Sequence, residues 1–279
     1  MKFSRTWALL VAAGCSSSIA RAQLQLVTNA GPPSVFFGEA KEIPVTFHNP
    51  AGQDFRSQIR TRMLQASSAT AIPLGESPWK ELRVLPRQTI LESAPLDFPP
   101  VKAETKFFVQ WLEDTNRIIG TTEVLVYPTN LLHELRLLVD ESWNNLGVLD
   151  PQNQLKPALK QAAIGFVDLA QAELAAFSGK LAVVGSCGPD DPEWSGLADR
   201  IRALAQNGTP VVWIQGPLRE RDKIRPSFYL VPQKQAAVVV VQPGLIADLP
   251  LNPRSQLNLI QFCQLALHPE SLSLPNQSR

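Results

Sequence analysis

The stretch Leu181-Ala-Val-Val-Gly185 decides the fold of the second half of the chain. Its apolar residues point to both faces, as in a strand of a parallel sheet that is covered on both sides. Asp191-Pro192 follows a few residues later and is a helix start, because the carboxylate caps free amides and proline suits the first helical position. The stretch therefore predicts one strand–helix unit, and we expect its strand to be central in the sheet.

The same alternation continues on both sides of this unit. Two more helix starts are Asp150-Pro151 and Asn252-Pro253, and a short helix is predicted at 173–177. The predicted strands cover residues 146–149, 164–169, 181–184, 209–214 and 236–241. Strands that alternate with helices predict a three-layer α/β domain with a parallel sheet of about five strands over 129–275, before a polar tail at 276–279. Five strands suit a flavodoxin-like order.

The first half of the chain has a different pattern. Short apolar alternations are separated by turn residues every eight to twelve positions or so, which is typical of antiparallel sandwiches. The predicted strands cover residues 23–27, 41–47, 56–66, 80–85, 88–93, 105–113 and 118–127. We therefore predict an immunoglobulin-like β-sandwich over 23–128. Trp111 is expected in its core, and Trp79, beside Pro78, is the candidate for a surface aromatic.

The N-terminus has the pattern of a secretory signal. Lys2 and Arg5 precede a short apolar run, and Ala20-Arg21-Ala22 is an Ala-x-Ala cleavage site before Gln23. We expect residues 1–22 to be removed and the mature protein to be secreted or periplasmic, with no later membrane span. The alternative is a lipoprotein, since Cys15 lies in a stretch that resembles a bacterial lipobox.

Composition excludes several kinds of function. The 26 basic and 25 acidic residues nearly balance and form no basic stripe, so we expect no nucleic-acid partner. The three histidines, at 48, 133 and 268, have no metal-ligand spacing, and no phosphate-binding loop is present, so no metal and no cofactor are predicted. The mature chain keeps two cysteines, Cys187 and Cys263, so at most one disulfide can form within it.

The layout of the second half resembles the class I glutamine-amidotransferase-like superfamily in a degenerate, exported form. The residues that carry the resemblance are Gly147-Val-Leu-Asp-Pro151, Gly179-Lys-Leu-Ala-Val-Val-Gly185 and Leu197-Ala-Asp-Arg-Ile-Arg-Ala-Leu-Ala-Gln-Asn-Gly-Thr-Pro-Val-Val-Trp213. The resemblance implies a nucleophile at Cys187 with His268 and Glu270 as partners. The chain departs from that pattern, because Pro189 replaces the second glycine of the nucleophile elbow and His268 follows the last helix. We therefore predict no catalytic triad.

The carboxyl ends of parallel strands form the usual ligand crevice of such folds. The candidate crevice residues are Asp150, Asp168, Ser186, Cys187, Asp190, Gln215 and Gln242. They predict a polar, weakly acidic floor that takes a ligand or a protein segment without catalysis.

These patterns favour a non-catalytic extracytoplasmic protein that binds or scaffolds a protein or saccharide partner. Two alternatives remain open at this level. One is a hydrolase of amide or glycan substrates that uses Cys187 or the pair Asp190 and Asp191. The other is a carbohydrate-binding protein that uses aromatic residues of the sandwich.

Overall fold

The computed structural model describes residues 24–28, 31–67, 69–140, 142, 144–170, 176–187, 196–216, 226–233 and 235–270. The signal segment with Cys15, the acidic pair Asp190 and Asp191, and the tail at 276–279 lie outside these ranges. Within the described residues, no helix has both the length and the apolar character needed to cross a membrane.

The N-terminal part is a sandwich of two sheets, as the sequence predicts. Its strands are β1 (Gln25–Val27), β2 (Ser34–Phe36), β3 (Gly38–His48), β4 (Phe55–Ala66), β5 (Ala71–Val84), β6 (Thr89–Phe98), β7 (Thr105–Glu113) and β8 (Ile118–Tyr127). One sheet has the order β1-β3-β6 and the other the order β2-β8-β7-β4-β5. All pairs are antiparallel except β2 with β8, which run parallel at the edge of the larger sheet.

Two features of the sandwich differ from the prediction. The structure adds β2, whose three residues are too few to give a period-2 signal. It also starts β5 at Ala71 rather than at residue 80. The pattern of β5 is hidden because Ala71 to Pro78 lie exposed at the sheet edge, where no alternation of burial is needed.

The sandwich core is built around aromatic rings. Trp111 is fully buried, meets Phe47 edge-to-face with 5.7 Å between ring centroids, and donates its Nε1–H to the Thr122 hydroxyl at 2.8 Å. The expected core role of Trp111 is confirmed. The interpretation of Trp79 as a surface aromatic is wrong, because its ring lies 5.0 Å from that of Trp111. A bulge between Pro78 and Lys80 turns Trp79 inward.

The C-terminal part is an α/β domain with one six-stranded sheet. The sheet contains β9 (Leu146–Leu149), β10 (Val167–Asp168), β11 (Leu181–Val184), β12 (Val211–Ile214), β13 (Phe228–Pro232) and β14 (Ala237–Val241) in the order β10-β9-β11-β12-β14-β13. Five strands are parallel, and their order is flavodoxin-like, an order that the predicted number of strands suits. The sixth, β13, pairs antiparallel at the edge and is not predicted by the pattern.

Within the described ranges, four α-helices cover the two faces of this sheet. They are α1 (His133–Leu138), α2 (Leu155–Gln161), α3 (Leu197–Gln206) and α4 (Pro253–Leu267). Side chains of α1, α2 and α4 pack with Val148, Val183 and Val239 on one face, and α3 packs with Val184 and Val240 on the other. The sheet is thus covered on both sides, which explains its uninterrupted apolar strands.

The helix starts are only partly as predicted. Asn252 caps α4 by accepting the Arg254 amide, with Pro253 in the first turn, as expected. The helix after Asp150-Pro151 begins later, at Leu155, although Asp150 still accepts its amides. The helix start predicted at Asp191-Pro192 lies outside the described residues, and α3 begins at Leu197, after Gly196 with φ of 78°.

One further element is shorter than predicted. Ala163 takes a left-handed φ of 54° after α2, so the strand expected at 164–169 is reduced to Val167–Asp168. Of the helix expected at 173–177, residues 173–175 lie outside the described residues, and Phe177 is not helical.

The two parts of the chain meet through β2, the end of β8 and α4. Phe36, Tyr127, Leu131 and Ile260 form one buried cluster. The Arg254 guanidinium donates to the Pro32 carbonyl at 3.4 Å. Residues more than two hundred positions apart therefore lie together at this junction.

Candidate functional site

A large cavity lies where the strand order of the α/β sheet reverses. The chain leaves β9 towards α2 on one face and leaves β11 towards α3 on the other, which opens a crevice beyond the ends of these two strands. Its volume is about 520 Å³. We call it the switch-point cleft; its walls include Asp150, Gln154, Leu155, Ser186, Ile246 and Asp248.

Asp150 lies at the floor of the cleft and is 4% exposed. Its Oδ1 accepts the amide of Gln154 at 3.0 Å, and its Oδ2 accepts the amides of Leu155 and Lys156 at 2.7 and 2.8 Å. The first turn of α2 therefore has its donors satisfied by a side chain of its own chain. In related folds such a helix start attracts an anionic ligand, but here the carboxylate already occupies that position.

The backbone around Asp150 is packed too closely for larger residues. A Cβ on Gly185 would lie 3.1 Å from Asp150 Oδ1 and 3.3 Å from the Leu149 carbonyl oxygen. A Cβ on Gly216 would lie 2.3 Å from the carbonyl oxygen of Cys187. Glycine at 185 and 216 thus lets the strand ends of β9, β11 and β12 close against one another.

Cys187 is half-buried beside the cleft but does not contribute to its walls. Its thiol donates to the Gly185 carbonyl at 3.7 Å, and its side chain packs with the cluster on the α3 face of the sheet. Cys263 is buried in the cluster on the opposite face, and burial raises its thiol pKa above the usual range. Among the described residues neither cysteine forms a disulfide, since the sheet lies between them.

The structure places His268 and Glu270, the other two residues of the triad that the resemblance implies, at the end of α4. His268 follows the last residue of that helix, and its amide donates to the Gln264 carbonyl at 2.8 Å. Its exposed ring lies 3.7 Å from the Glu270 carboxylate. The amino end of α4 lies at the loop that walls the cleft, where Ser255 and Gln256 donate to the carbonyls of Ala247 and Leu249. Fifteen helical residues then separate that end from His268, about 22 Å along the axis.

The candidate crevice residues do not form one site. Asp150 and Ser186 line the switch-point cleft. Gln215 and Gln242 line a separate shallow crevice beside β13, where they donate to the Tyr229 hydroxyl and the Pro226 carbonyl. Asp190, like Asp191, lies outside the described residues.

Asp168, the remaining candidate, belongs to a structural ion pair. Its Oδ2 lies 2.7 Å from the Lys156 ammonium on α2, and its Oδ1 accepts the Ala170 amide at 3.0 Å. Burial works to raise the pKa of this carboxyl, but the bonds to Lys156 and Ala170 and the charges of Lys156 and Lys160 outweigh it, and the pKa is lowered. Asp168 thus fixes α2 to the sheet edge rather than facing the cleft.

The lowered pKa of Asp168 makes a pH-dependent contribution to stability. A carboxyl whose pKa is lower in the folded state stabilises the protein above its unfolded pKa of about 3.9, and that stabilisation is lost as the pH falls through the folded pKa. We expect Asp168→Asn to have a lower urea midpoint than the unmodified protein at pH 7. The difference between the two midpoints should shrink as the pH falls below about 4. The measurement is urea unfolding by circular dichroism between pH 7 and pH 3. A difference that stays constant over this range would contradict the assigned role.

The pattern of the sequence does not single out the loop that forms the outer wall of the cleft. Pro243, Ile246, Leu249 and Pro250 supply its apolar surface, and Asp248 supplies a carboxylate at its rim. Within the described part of the chain no group pairs with this carboxylate. The sequence feature that could have identified this loop is the stretch Pro-Gly-Leu-Ile-Ala-Asp-Leu-Pro at 243–250, after the last strand. Long loops at the carboxyl ends of strands often build binding sites.

The cleft walls combine apolar surface with a few polar groups. The described ranges hold no group of three His, Cys, Asp or Glu side chains arranged to bind a metal. Asn153 and Gln154 present exposed amides beside the apolar residues, and neither makes a side-chain bond within the described residues. An apolar cleft with a few polar groups at its rim is typical of ligand-binding sites.

Comparisons with known proteins do not assign the chain to a family. No family model and no curated protein matches it. Part of the chain is similar to solved structures, with TM-scores of 0.30 for the alkylpurine DNA glycosylase AlkC of Pseudomonas fluorescens and 0.27 for a β-glucosidase of Listeria innocua. A third is the CsuC–CsuE complex of Acinetobacter baumannii, with a TM-score of 0.28.

These matches are distant in every measure. The identities are 11%, 13% and 11%, and each match covers 38% of this chain. The chain spans 31%, 16% and 58% of the respective structures, less than two thirds of each. Similarity at this level carries no conclusion about activity or partners.

Proposed function

We propose that the protein is a non-catalytic binding protein of the extracytoplasmic space and that it recognises its partner in the switch-point cleft. The α/β domain would be a degenerate member of the amidotransferase-like superfamily. In it, Cys187, at the position of the superfamily's nucleophile, would no longer face the ligand. The secretory pattern of residues 1–22 and the quoted resemblance support the compartment and the ancestry.

The observation that carries the proposal is the state of the reactive groups around the cleft. Both oxygens of Asp150 are occupied by backbone amides, so this carboxylate holds α2 in place and is not oriented towards a substrate. The thiol of Cys187 points to the Gly185 carbonyl and packs on the far face of the sheet. A nucleophile needs a base within hydrogen-bond reach, and His268 lies at the far end of α4.

A cleft-filling variant tests this proposal. Gly244 lines the cleft, and a Cβ at this position would meet no atom within 4 Å, so Gly244→Trp should fill the cleft without disturbing the backbone. Gly52 leaves the same open space for a Cβ but lies in a turn of the sandwich, which makes Gly52→Trp a matched control. Binding of short peptides and neutral oligosaccharides would be followed by saturation-transfer NMR.

We expect at least one probe class to bind the unmodified protein and Gly52→Trp, to lose binding in Gly244→Trp, and to be recovered chemically unchanged. Turnover of a probe that Cys187→Ala abolishes, together with rapid alkylation of Cys187 near neutral pH, would overturn the non-catalytic proposal. Binding that Gly244→Trp leaves unaltered would place recognition outside the cleft.

A further inference from the structure

A second cavity lies between the sandwich and the α/β domain. We call it the junction groove; its volume is about 270 Å³, and its walls include Phe36, Lys41, Ala158, Gln161, Leu251 and Gln256. Domain interfaces are favoured places for ligand sites. Leu251 is 80% exposed at its rim and adds apolar surface there.

The junction groove and the switch-point cleft share their walls. Pro250 borders both cavities. Helix α2 contributes Leu155 and Pro157 to the cleft and Ala158 and Gln161 to the groove. The two cavities therefore follow one another along the same helix and the same loop, with about 9 Å of helix axis from Leu155 to Gln161.

The two ends of this path carry opposite charges. Asp248 is an exposed carboxylate at the cleft, and Lys41 is a half-buried ammonium in the groove. Neither group makes an ion pair or a side-chain hydrogen bond within the described part of the chain. Most other charged groups of the sandwich are paired, as Arg83 with Asp54 and Lys80 with Glu92 are.

The groove also contains a polar atom that lacks a partner. Gln256 is 4% exposed and donates its amide to the Leu249 carbonyl at 3.0 Å. Its Oε1 is buried and accepts no hydrogen bond within the described structure. A buried acceptor without a donor is costly, and the residue that carries it borders the groove.

We propose that the switch-point cleft and the junction groove form one continuous site for an extended peptide segment, with a cationic group at the Asp248 end and an anionic group at the Lys41 end. The inference rests on the proposed binding function and extends it by naming the class of ligand. An extended chain advances 3.3–3.6 Å per residue, so about three residues pass along α2, and the ends of the segment extend beyond them into the two cavities. The intervening residues are apolar, to match Pro157, Pro250 and Leu251.

Charge-reversal variants and four capped hexapeptides test the continuous site. The peptides are N-acetylated and C-amidated, with Leu, Pro and Ala between the ends, and three of them carry Lys/Glu, Lys/Lys or Glu/Glu as their terminal residues. A fourth peptide with Glu/Lys ends has the same charges in the opposite chain direction, so that the two mixed peptides together cover both directions of entry. Isothermal titration calorimetry would measure each peptide against the unmodified protein, Lys41→Glu, Asp248→Lys and Gly244→Trp.

We expect the unmodified protein to prefer one of the two mixed peptides by about tenfold over Lys/Lys and Glu/Glu, because each mismatched end replaces an attraction by a repulsion. Lys41→Glu should prefer Lys/Lys, Asp248→Lys should prefer Glu/Glu, and Gly244→Trp should bind none of the four. Lys102→Glu is the matched control, since Lys102 is an exposed lysine of the sandwich away from both cavities, and it should behave as the unmodified protein does.

The outcomes separate this inference from the proposed function. If Gly244→Trp abolishes peptide binding while Lys41→Glu changes no preference, the groove takes no part; the continuous site is then wrong and binding in the cleft stands. If no hexapeptide binds the unmodified protein, the peptide class is wrong, and the wider panel of probes decides the proposed function on its own.

Discussion

Asp150→Ala is expected to lower the free energy of unfolding by about 2–4 kcal/mol. The substitution removes the acceptor of three amides in the first turn of α2, and Asp150 is almost fully buried, so water does not readily replace it. Urea unfolding followed by circular dichroism would measure the loss, and hydrogen exchange should show faster exchange at Gln154, Leu155 and Lys156. A loss shared equally by amides of distant elements would contradict a local capping role.

Two variants make this measurement specific. Asp150→Asn keeps one oxygen acceptor and should recover part of the stability that Asp150→Ala loses. Asp199 is a second carboxylate in the first turn of a helix, but it is exposed and pairs only with Arg202 on the same helix. Asp199→Ala should therefore change stability far less than Asp150→Ala does. Equal effects at 150 and 199 would show that burial of the cap is unimportant.

Trp111→Ala is expected to lower the unfolding free energy by about 3–5 kcal/mol, the usual cost of deleting a fully buried aromatic ring. The ring fills the space between the two sheets of the sandwich, against Phe47 and Trp79, and the Thr122 hydroxyl also loses its donor. The measurement is urea unfolding by circular dichroism, because the six tryptophans of the chain obscure a fluorescence signal. Trp111→Phe keeps most of the packing and should cost clearly less.

If Trp111→Ala lowers the unfolding free energy by less than about 1 kcal/mol, the aromatic cluster does not hold the sheets together. The sandwich and the α/β domain can unfold in separate steps, so the transition that moves must be identified. Asp150→Ala should move the transition of the α/β domain, and Trp111→Ala should move that of the sandwich.

The elements that could be predicted from the sequence are those with a strong local signal. The valine run of β14 and the cap at Asn252 both lie where the pattern places them, because each depends on residues next to one another in the chain. Strand β13 is not predicted because an antiparallel edge strand has only one covered side and ends in Pro232. The prediction for Trp79 is wrong because the bulge that turns it inward depends on pairing with β4.

The candidate site could be predicted only in outline. Topology alone predicts a crevice at the strand ends, and Asp150 and Ser186 lie in it. The pattern could not show that Asp150 is occupied by amides, since that depends on a helix that begins at Leu155 rather than at Pro151. It also could not show that Asp248 and Lys41 lie along one path, because the two residues belong to different domains.

The contact between β2 and α4 has a consequence for how the chain folds. Phe36 belongs to the first strands of the sandwich, yet it is covered by Ile260, which lies near the end of the chain. Contacts between such distant residues form slowly, because a long loop must close first. The edge of the sandwich therefore stays open until the last helix has emerged and docked. A chain that stops short of α4 would expose Phe36 and Tyr127 beside an unpaired strand edge, a combination that favours aggregation.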